Sequence, residues 1–164
     1  MAIIYLTGFM GAGKTTVGQQ LAEFLSFEVV DTDQYIENKL GQTIPDIFAK
    51  EGEQAFRTYE TEALNEITGE SLIVTTGGGI IQKKENRDIM KKKGVIIYLH
   101  CELEEIFNRL EGDESRPLLK GKNKEQVATL FADRLPHYED ANHVVDTTNQ
   151  SLEDIVYTIK KKVE

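Results

Sequence analysis

Gly8-Phe9-Met10-Gly11-Ala12-Gly13-Lys14-Thr15 fits the pattern G-x-x-x-x-G-K-[ST], and it lies between a short apolar run, Ile3-Ile4-Tyr5-Leu6, and a helical pattern. In that context the pattern holds phosphate. The glycines let backbone N–H groups turn inward around phosphate oxygens, Lys14 supplies a point charge to the outer phosphates, and the Thr15 hydroxyl is placed to ligate Mg²⁺. The helix that begins near Gly13 aims its positive end at the same anions. The chemistry expected is that of a nucleoside triphosphate.

Further groups could act on what that nucleotide delivers. Asp31-Thr32-Asp33 closes the second apolar run. Two acids at i and i+2 of extended chain point the same way, so one can order water around Mg²⁺ while the other reaches an acceptor hydroxyl. The alternative is that Thr32 or Asp33 caps the following helix. Arg57 and Glu60 stand at i and i+3 of a helical pattern. They form either a solvated ion pair worth about 0.3 kcal/mol or an arginine held by its carboxylate so that its fork meets an anionic group. Gly77-Gly78-Gly79 leaves no Cβ, so it is a permissive turn or, as we favour, a place where a ligand lies against bare backbone. Arg116-Pro117 falls in the polar stretch Glu111 to Asn123, a surface loop or a flap whose closure would bring Arg116 onto a transferring phosphoryl group. Arg134 follows on a helix, as a surface residue or as another anion ligand.

Composition narrows the classes. The chain has 164 residues and a net charge of −9, which fits one domain and argues against nucleic acid as a partner. Lysines gather in runs, whereas most of the five arginines, at 57, 87, 109, 116 and 134, stand singly beside aromatic, proline or leucine neighbours. That distribution suggests arginines reserved for anionic small molecules. No apolar run reaches the roughly 18 residues of a membrane span, and no charged-then-apolar leader pattern opens the sequence, so a cytoplasmic location is expected. The one cysteine, Cys101, excludes an internal disulfide and reads as a strand-end residue. The histidines at 100, 137 and 143 show no metal spacing.

The elements that must position these groups alternate. Strands are expected at 3–7, 27–31, 72–75, 95–99 and 143–146. Helices are expected at 15–25, in a block from about 34 to 67, and at 85–93, 102–110, 125–138 and 152–163. Short apolar strands separated by helices argue an α/β fold with a parallel sheet covered on both faces. About 40 residues between the second and third strands exceed one crossover, and Thr43-Ile44-Pro45-Asp46 reads there as a capping box.

Read alone, these residues leave open a small-molecule kinase, with sugar acids or nucleoside monophosphates among the acceptors, or a nucleotide-dependent regulatory module. No N-K-x-D guanine signature is present. The phosphate loop, Asp31-Thr32-Asp33, Phe56-Arg57 with Glu60, the glycine triplet, Arg116-Pro117-Leu118-Leu119, and Arg134 with Tyr138 together resemble the shikimate kinase family in order and spacing, from Ile3 to about Lys160. The resemblance implies a three-layer αβα P-loop kinase with a five-stranded parallel sheet, an inserted helical substrate-binding region and a mobile lid. It implies one kinase domain over 1–164, with a core of 1–31, 61–110 and 124–164, an insertion of about 32–60 and a lid of about 111–123. It implies ATP and Mg²⁺ as cofactors and transfer of phosphate to the 3-hydroxyl of shikimate in aromatic amino-acid biosynthesis, by a monomer with no nucleic-acid or membrane partner. Carried onto this sequence, Gly11, Ala12, Gly13, Lys14, Thr15 and Thr16 hold the nucleotide, with Arg109 over the adenine and Arg116 on the phosphates. Thr15 and Asp31 serve the metal, Asp31 through water. Asp33 contacts the shikimate hydroxyls as candidate base, Arg57 and Arg134 clamp its carboxylate, and Gly78 and Gly79 lie near the ring. Lys14, Asp33 and Arg116 are then the catalytic set. Relatives often place a basic residue in the stretch Thr147 to Ser151, and this sequence has none there.

Overall fold

The run Ile3–Thr7 forms strand β1, and all of its residues are buried. Alternation along a strand sends successive side chains to opposite faces. Ile3 and Tyr5 join one hydrophobic cluster, while Ile4 and Leu6 join another. A strand that is apolar on both faces needs cover on both, and a sheet between two helix layers supplies it. The computed structural model, which describes residues 3–110 and 123–164, has that three-layer arrangement. Strands β2 (Glu28–Asp31), β3 (Leu72–Thr75), β4 (Gly94–His100) and β5 (His143–Asp146) complete a five-stranded parallel sheet in the order β2-β3-β1-β4-β5.

Helices α1 (Lys14–Leu25) and α8 (Leu152–Val163) cover one face through Val17, Leu21, Ile155 and Ile159. The other face carries α2 (Thr32–Leu40), α3 (Ile44–Glu51), α4 (Glu53–Glu66), α5 (Lys84–Lys93), α6 (Leu103–Leu110) and α7 (Lys124–Glu139). Ile36, Ile47, Phe56, Leu64, Met90 and Val127 are among the side chains they bury there. No described helix is long and apolar enough to cross a membrane.

The expected helical block between β2 and β3 is three helices, α2 to α4, separated at Gly41 and Gly52. Thr43 caps α3 by accepting the Asp46 N–H at 3.3 Å. The reciprocal capping box among the described residues belongs to Asn123 and Gln126, at the start of α7. Helix α4 runs unbroken past residue 60 to Glu66. Lys93, at the end of α5, donates to the carbonyls of Leu64, Asn65 and Ile67 and so ties the end of α4 to the core.

After the glycine triplet the chain makes a 3₁₀ turn, Ile80–Gln82, that the sequence pattern did not announce. Asn86 and Arg87 hold it by donating to the carbonyls of Ile80 and Ile81. Arg87 also bonds Asp140 at 2.7 Å. Arg87, the one of the five arginines flanked by Asn86 and Asp88 rather than by an aromatic, proline or leucine, is used to pin a turn to the end of α7. Residues 111–122, most of the expected lid and its Arg116, lie outside the described residues.

Candidate active site

The site forms at the carboxyl ends of β1, β2 and β3, where a parallel sheet releases its loops. Gly13 caps α1 with φ of 92°, a left-handed conformation that favours glycine. No described side chain caps this helix and no acid stands in its first turn, so its leading N–H groups are left for an anion. Lys14 folds back over the loop, donating to Gly8 O at 2.6 Å and Phe9 O at 3.1 Å. Gly11, Ala12, Gly13, Lys14, Thr15 and Thr16 all line a cavity of about 400 Å³ above the loop. Arg109, from α6, reaches the same cavity, donates to Gly11 O at 3.0 Å and pairs with Glu105 at 2.8 Å. Thr147 and Gln150 line it from the stretch without a basic residue, and Leu152 and Ile155 line it from α8.

Asp31 and Asp33 both face this cavity, but not from one extended segment. Strand β2 ends at Asp31, and Asp33 lies in the first turn of α2. The cap of α2 is Asp31, rather than Thr32 or Asp33, because its Oδ1 accepts the Gln34 N–H at 3.0 Å. Its Oδ2 accepts from the Thr75 hydroxyl at 2.8 Å. Thr32 is fully buried and accepts the Gly77 N–H at 3.1 Å, joining α2 to the glycine loop.

A second, smaller pocket opens beside Asp33, and Asp33, Gly77 and Gly78 line both. Arg57, Glu60, Gly79 and Arg134 give it polar lining, and Ile44, Phe48 and Phe56, the last with the Arg57 guanidinium 5.4 Å over its ring, give it apolar lining. Arg57 donates to Glu60 Oε1 at 2.7 Å, and Glu60 is 0% exposed, so this is no solvated surface pair. Glu53 adds a half-exposed contact to Arg57 at 3.2 Å. Burial pushes the Glu60 carboxyl up to about 7 against the pull of Arg57. Burial also disfavours the Arg57 cation, yet Glu60 and then Glu53 outweigh it and hold its pKa above the usual arginine value.

Arg134 is 2% exposed, which removes the surface reading of that residue. Its guanidinium lies over the Phe9 ring, 5.8 Å from the centroid. One turn further along α7, Tyr138 donates its hydroxyl to Gly78 O and stacks on Tyr98, with centroids 4.9 Å apart. Burial pushes the Tyr138 phenol up to about 12, so it keeps the proton it donates.

The glycine triplet has a more specific reason than an approach by ligand alone. A Cβ at Gly79 would sit 2.5 Å from the Arg57 guanidinium, and one at Gly77 would sit 2.8 Å from Asp33 Oδ1. The bare backbone lets the protein's own charged side chains converge. Sequence reasoning did not single out Thr32 as a strut, Phe9 as the floor under Arg134, or Tyr98. The signal available for Phe9 was an aromatic residue inside a glycine-rich loop. Cys101 is buried at the strand end as expected, with its thiol pushed up to about 11 by burial.

Comparison with known proteins gives a consistent result. A family model described as shikimate kinase matches residues 10–164. A shikimate kinase of Bacillus anthracis is 48% identical over 163 residues, 99% of each chain. The solved shikimate kinase from Acinetobacter baumannii in complex with shikimate superposes with a TM-score of 0.93 at 43% identity, covering 98% of this chain and 92% of that one. The enzyme from Aquifex aeolicus superposes with a TM-score of 0.85 at 34% identity, covering 98% and 95%.

Proposed function

Because the chain belongs to the shikimate kinase family, we propose that it transfers the γ-phosphoryl group of ATP to the 3-hydroxyl of shikimate, giving shikimate 3-phosphate and ADP in aromatic amino-acid biosynthesis. The observation that carries this reading is the shared wall of the two cavities. Asp33, Gly77 and Gly78 border both the space above the phosphate loop and the pocket of Arg57 and Arg134. A donor phosphoryl group and an acceptor hydroxyl held in the two would meet at Asp33.

The roles follow from the chemistry of each position. Loop N–H groups from Gly11 to Thr16 and the start of α1 bind the phosphates, and Lys14 exchanges its loop carbonyls for phosphate oxygens. Arg109 borders the nucleotide from α6. Arg57 and Arg134 grip the acceptor carboxylate, since a guanidinium matches its planar fork. Gly78 and Gly79 let the ring approach the backbone. Asp33 orients the attacking hydroxyl and accepts its proton. Arg116, which lies outside the described residues, is assigned to the transferring phosphoryl group. Phosphoryl transfer asks little covalent chemistry of a protein, so positioning and charge carry the rate.

Thr15 and Asp31 suit Mg²⁺. Both offer hard oxygen donors on the nucleotide cavity, and no group of three or more His, Cys, Asp or Glu among the described residues forms a metal cage. Mg²⁺ is typically held by one or two protein oxygens with water and phosphate completing its shell. Both Asp31 oxygens already accept hydrogen bonds, which favours its acting through water. When bound, Mg²⁺ neutralises phosphate charge. We propose that the working unit is a cytoplasmic monomer, one domain with an insertion of about 32–60.

The test is ADP release with ATP and Mg²⁺, with and without shikimate. Turnover that depends on shikimate is expected. Turnover with gluconate or a nucleoside monophosphate and none with shikimate would move the chain to another acceptor. ATP binding with no acceptor-dependent ADP would make it a regulatory module.

A further inference from the structure

We propose that Gln82 is a positioning residue for the acceptor pocket: its side-chain amide holds the Arg134 guanidinium so that one nitrogen, Nη1, is presented to the bound carboxylate. The inference rests on the assignment of Arg134 to that carboxylate. Gln82 ends the 3₁₀ turn that follows the glycine triplet, and its N–H donates to Gly79 O at 3.2 Å. The Gln82 amide faces Arg134, and assigning its oxygen to that side, the orientation that satisfies both groups, lets it accept from Arg134 Nε at 3.1 Å and from Nη2 at 3.3 Å. Two bonds from one edge of a planar guanidinium fix its plane as well as its place. The Phe9 ring 5.8 Å away backs the same group.

What remains is Nη1, which is buried and meets no acceptor in good hydrogen-bonding geometry among the described residues, although the Tyr138 hydroxyl lies beside the guanidinium. A Cβ on Gly78 would lie 3.3 Å from it, so the nitrogen stands against the backbone that borders both cavities. A buried donor left without a partner is costly, and an anionic oxygen arriving there removes the cost. Gln82 therefore spends one edge of Arg134 to leave the other for the ligand. The turn that carries Gln82 is itself pinned by Asn86 and Arg87. The chain thereby sets the direction of Arg134 from the glycine loop, against which the ligand lies. Gln82 itself is exposed, so replacing it leaves the core intact.

Steady-state kinetics on the full chain with Gln82→Leu, Arg134→Ala and the double variant test this, together with thermal melting. Gln82→Leu should raise the shikimate KM about tenfold, the low end for losing a group once removed from the ligand. ATP KM and kcat should stay within about threefold, because the change removes ground-state and transition-state binding alike, while the melting temperature falls by a few degrees as buried Arg134 Nε and Nη2 lose their acceptor. In the Arg134→Ala background, Gln82→Leu should add nothing, since its effect runs through Arg134. If Arg134→Ala raises KM and Gln82→Leu does not, the inference on Gln82 is wrong and the assignment of Arg134 stands. Effects that multiply would make Gln82 an independent contact and overturn the inference. A lowered melting temperature without a shift in shikimate KM would also overturn it, by making Gln82 structural. Unchanged shikimate KM in Arg134→Ala would remove both the inference and the assignment beneath it.

Discussion

Replacing Glu60 by Gln should change how the stability of this protein depends on pH. The carboxyl is 0% exposed, and burial raises it from 4.5 to about 7 despite the hydrogen-bonded Arg57. The folded chain therefore keeps a proton on Glu60 in a range where the unfolded chain has released it. The native state binds more protons between pH ~4.5 and ~7, so stability falls as pH rises through that window. At about 1.36 kcal/mol per pKa unit, the loss is about 3 kcal/mol. The Glu60→Gln variant has an amide with no proton to release there, so it would escape this loss while keeping an acceptor for Arg57. The gap in melting temperature, variant minus parent, should thus grow as pH is raised from ~4.5 to ~8. For a chain of this size about 3 kcal/mol corresponds to roughly 6 to 12 °C. Melts of both proteins across that range at one ionic strength give the answer, because titrations common to both cancel in the difference. Parallel curves would show that Glu60 titrates alike in folded and unfolded chains, and would remove the buried-charge account of the Arg57 pair.

Other perturbations separate binding, metal use and stability. Arg57→Ala should weaken shikimate binding by about 2 to 5 kcal/mol, the usual loss from a desolvated charge pair; unchanged affinity in a titration would return Arg57 and Glu60 to a merely structural pair. Asp31→Asn keeps an acceptor for the Gln34 N–H, so melting should shift little while the Mg²⁺ concentration for half-maximal activity rises about tenfold; an unmoved Mg²⁺ curve would reduce Asp31 to a helix cap. Lys93→Met removes the donor shared by the carbonyls of Leu64, Asn65 and Ile67. Urea unfolding should then show a loss of about 1 to 3 kcal/mol, with kcat at low temperature retained, and a kcat loss without a stability loss would refute the clamp.

The parts of the site that lay open in the sequence are those whose function and backbone are fixed locally. Gly13 and Lys14 could be read because the loop needs particular residue types at particular steps along one chain segment. Asp31 could be placed at a strand end for the same reason. Arg134 could not. Its burial depends on Phe9 of the phosphate loop, Gln82 of the 3₁₀ turn and the packing of α7 on the sheet, all far away in sequence. Arg87 shows the converse: its polar neighbours set it apart from the other four arginines, but do not reveal the partner it would find. A lone arginine looks the same whether its partner is a ligand or Asp140, 53 residues on.

The glycine triplet shows most directly where local reading stops. From sequence, three missing Cβ atoms announce that something must come close, and a ligand is the natural occupant to infer. In the fold, Arg57 from α4 fills the space at Gly79, Asp33 from α2 fills that at Gly77, and Arg134 from α7 stands nearest Gly78. An alanine at 79 would have to displace a guanidinium held by Glu60 and Glu53, so its first effect would fall on the orientation of Arg57 and only through it on the ligand. The triplet thus works as the surface on which charges from three helices are brought within reach of one acceptor. Gly77 and Gly78 face both cavities, and there the fold fixes the backbone twice: Thr32 accepts the Gly77 N–H and Tyr138 holds the Gly78 carbonyl.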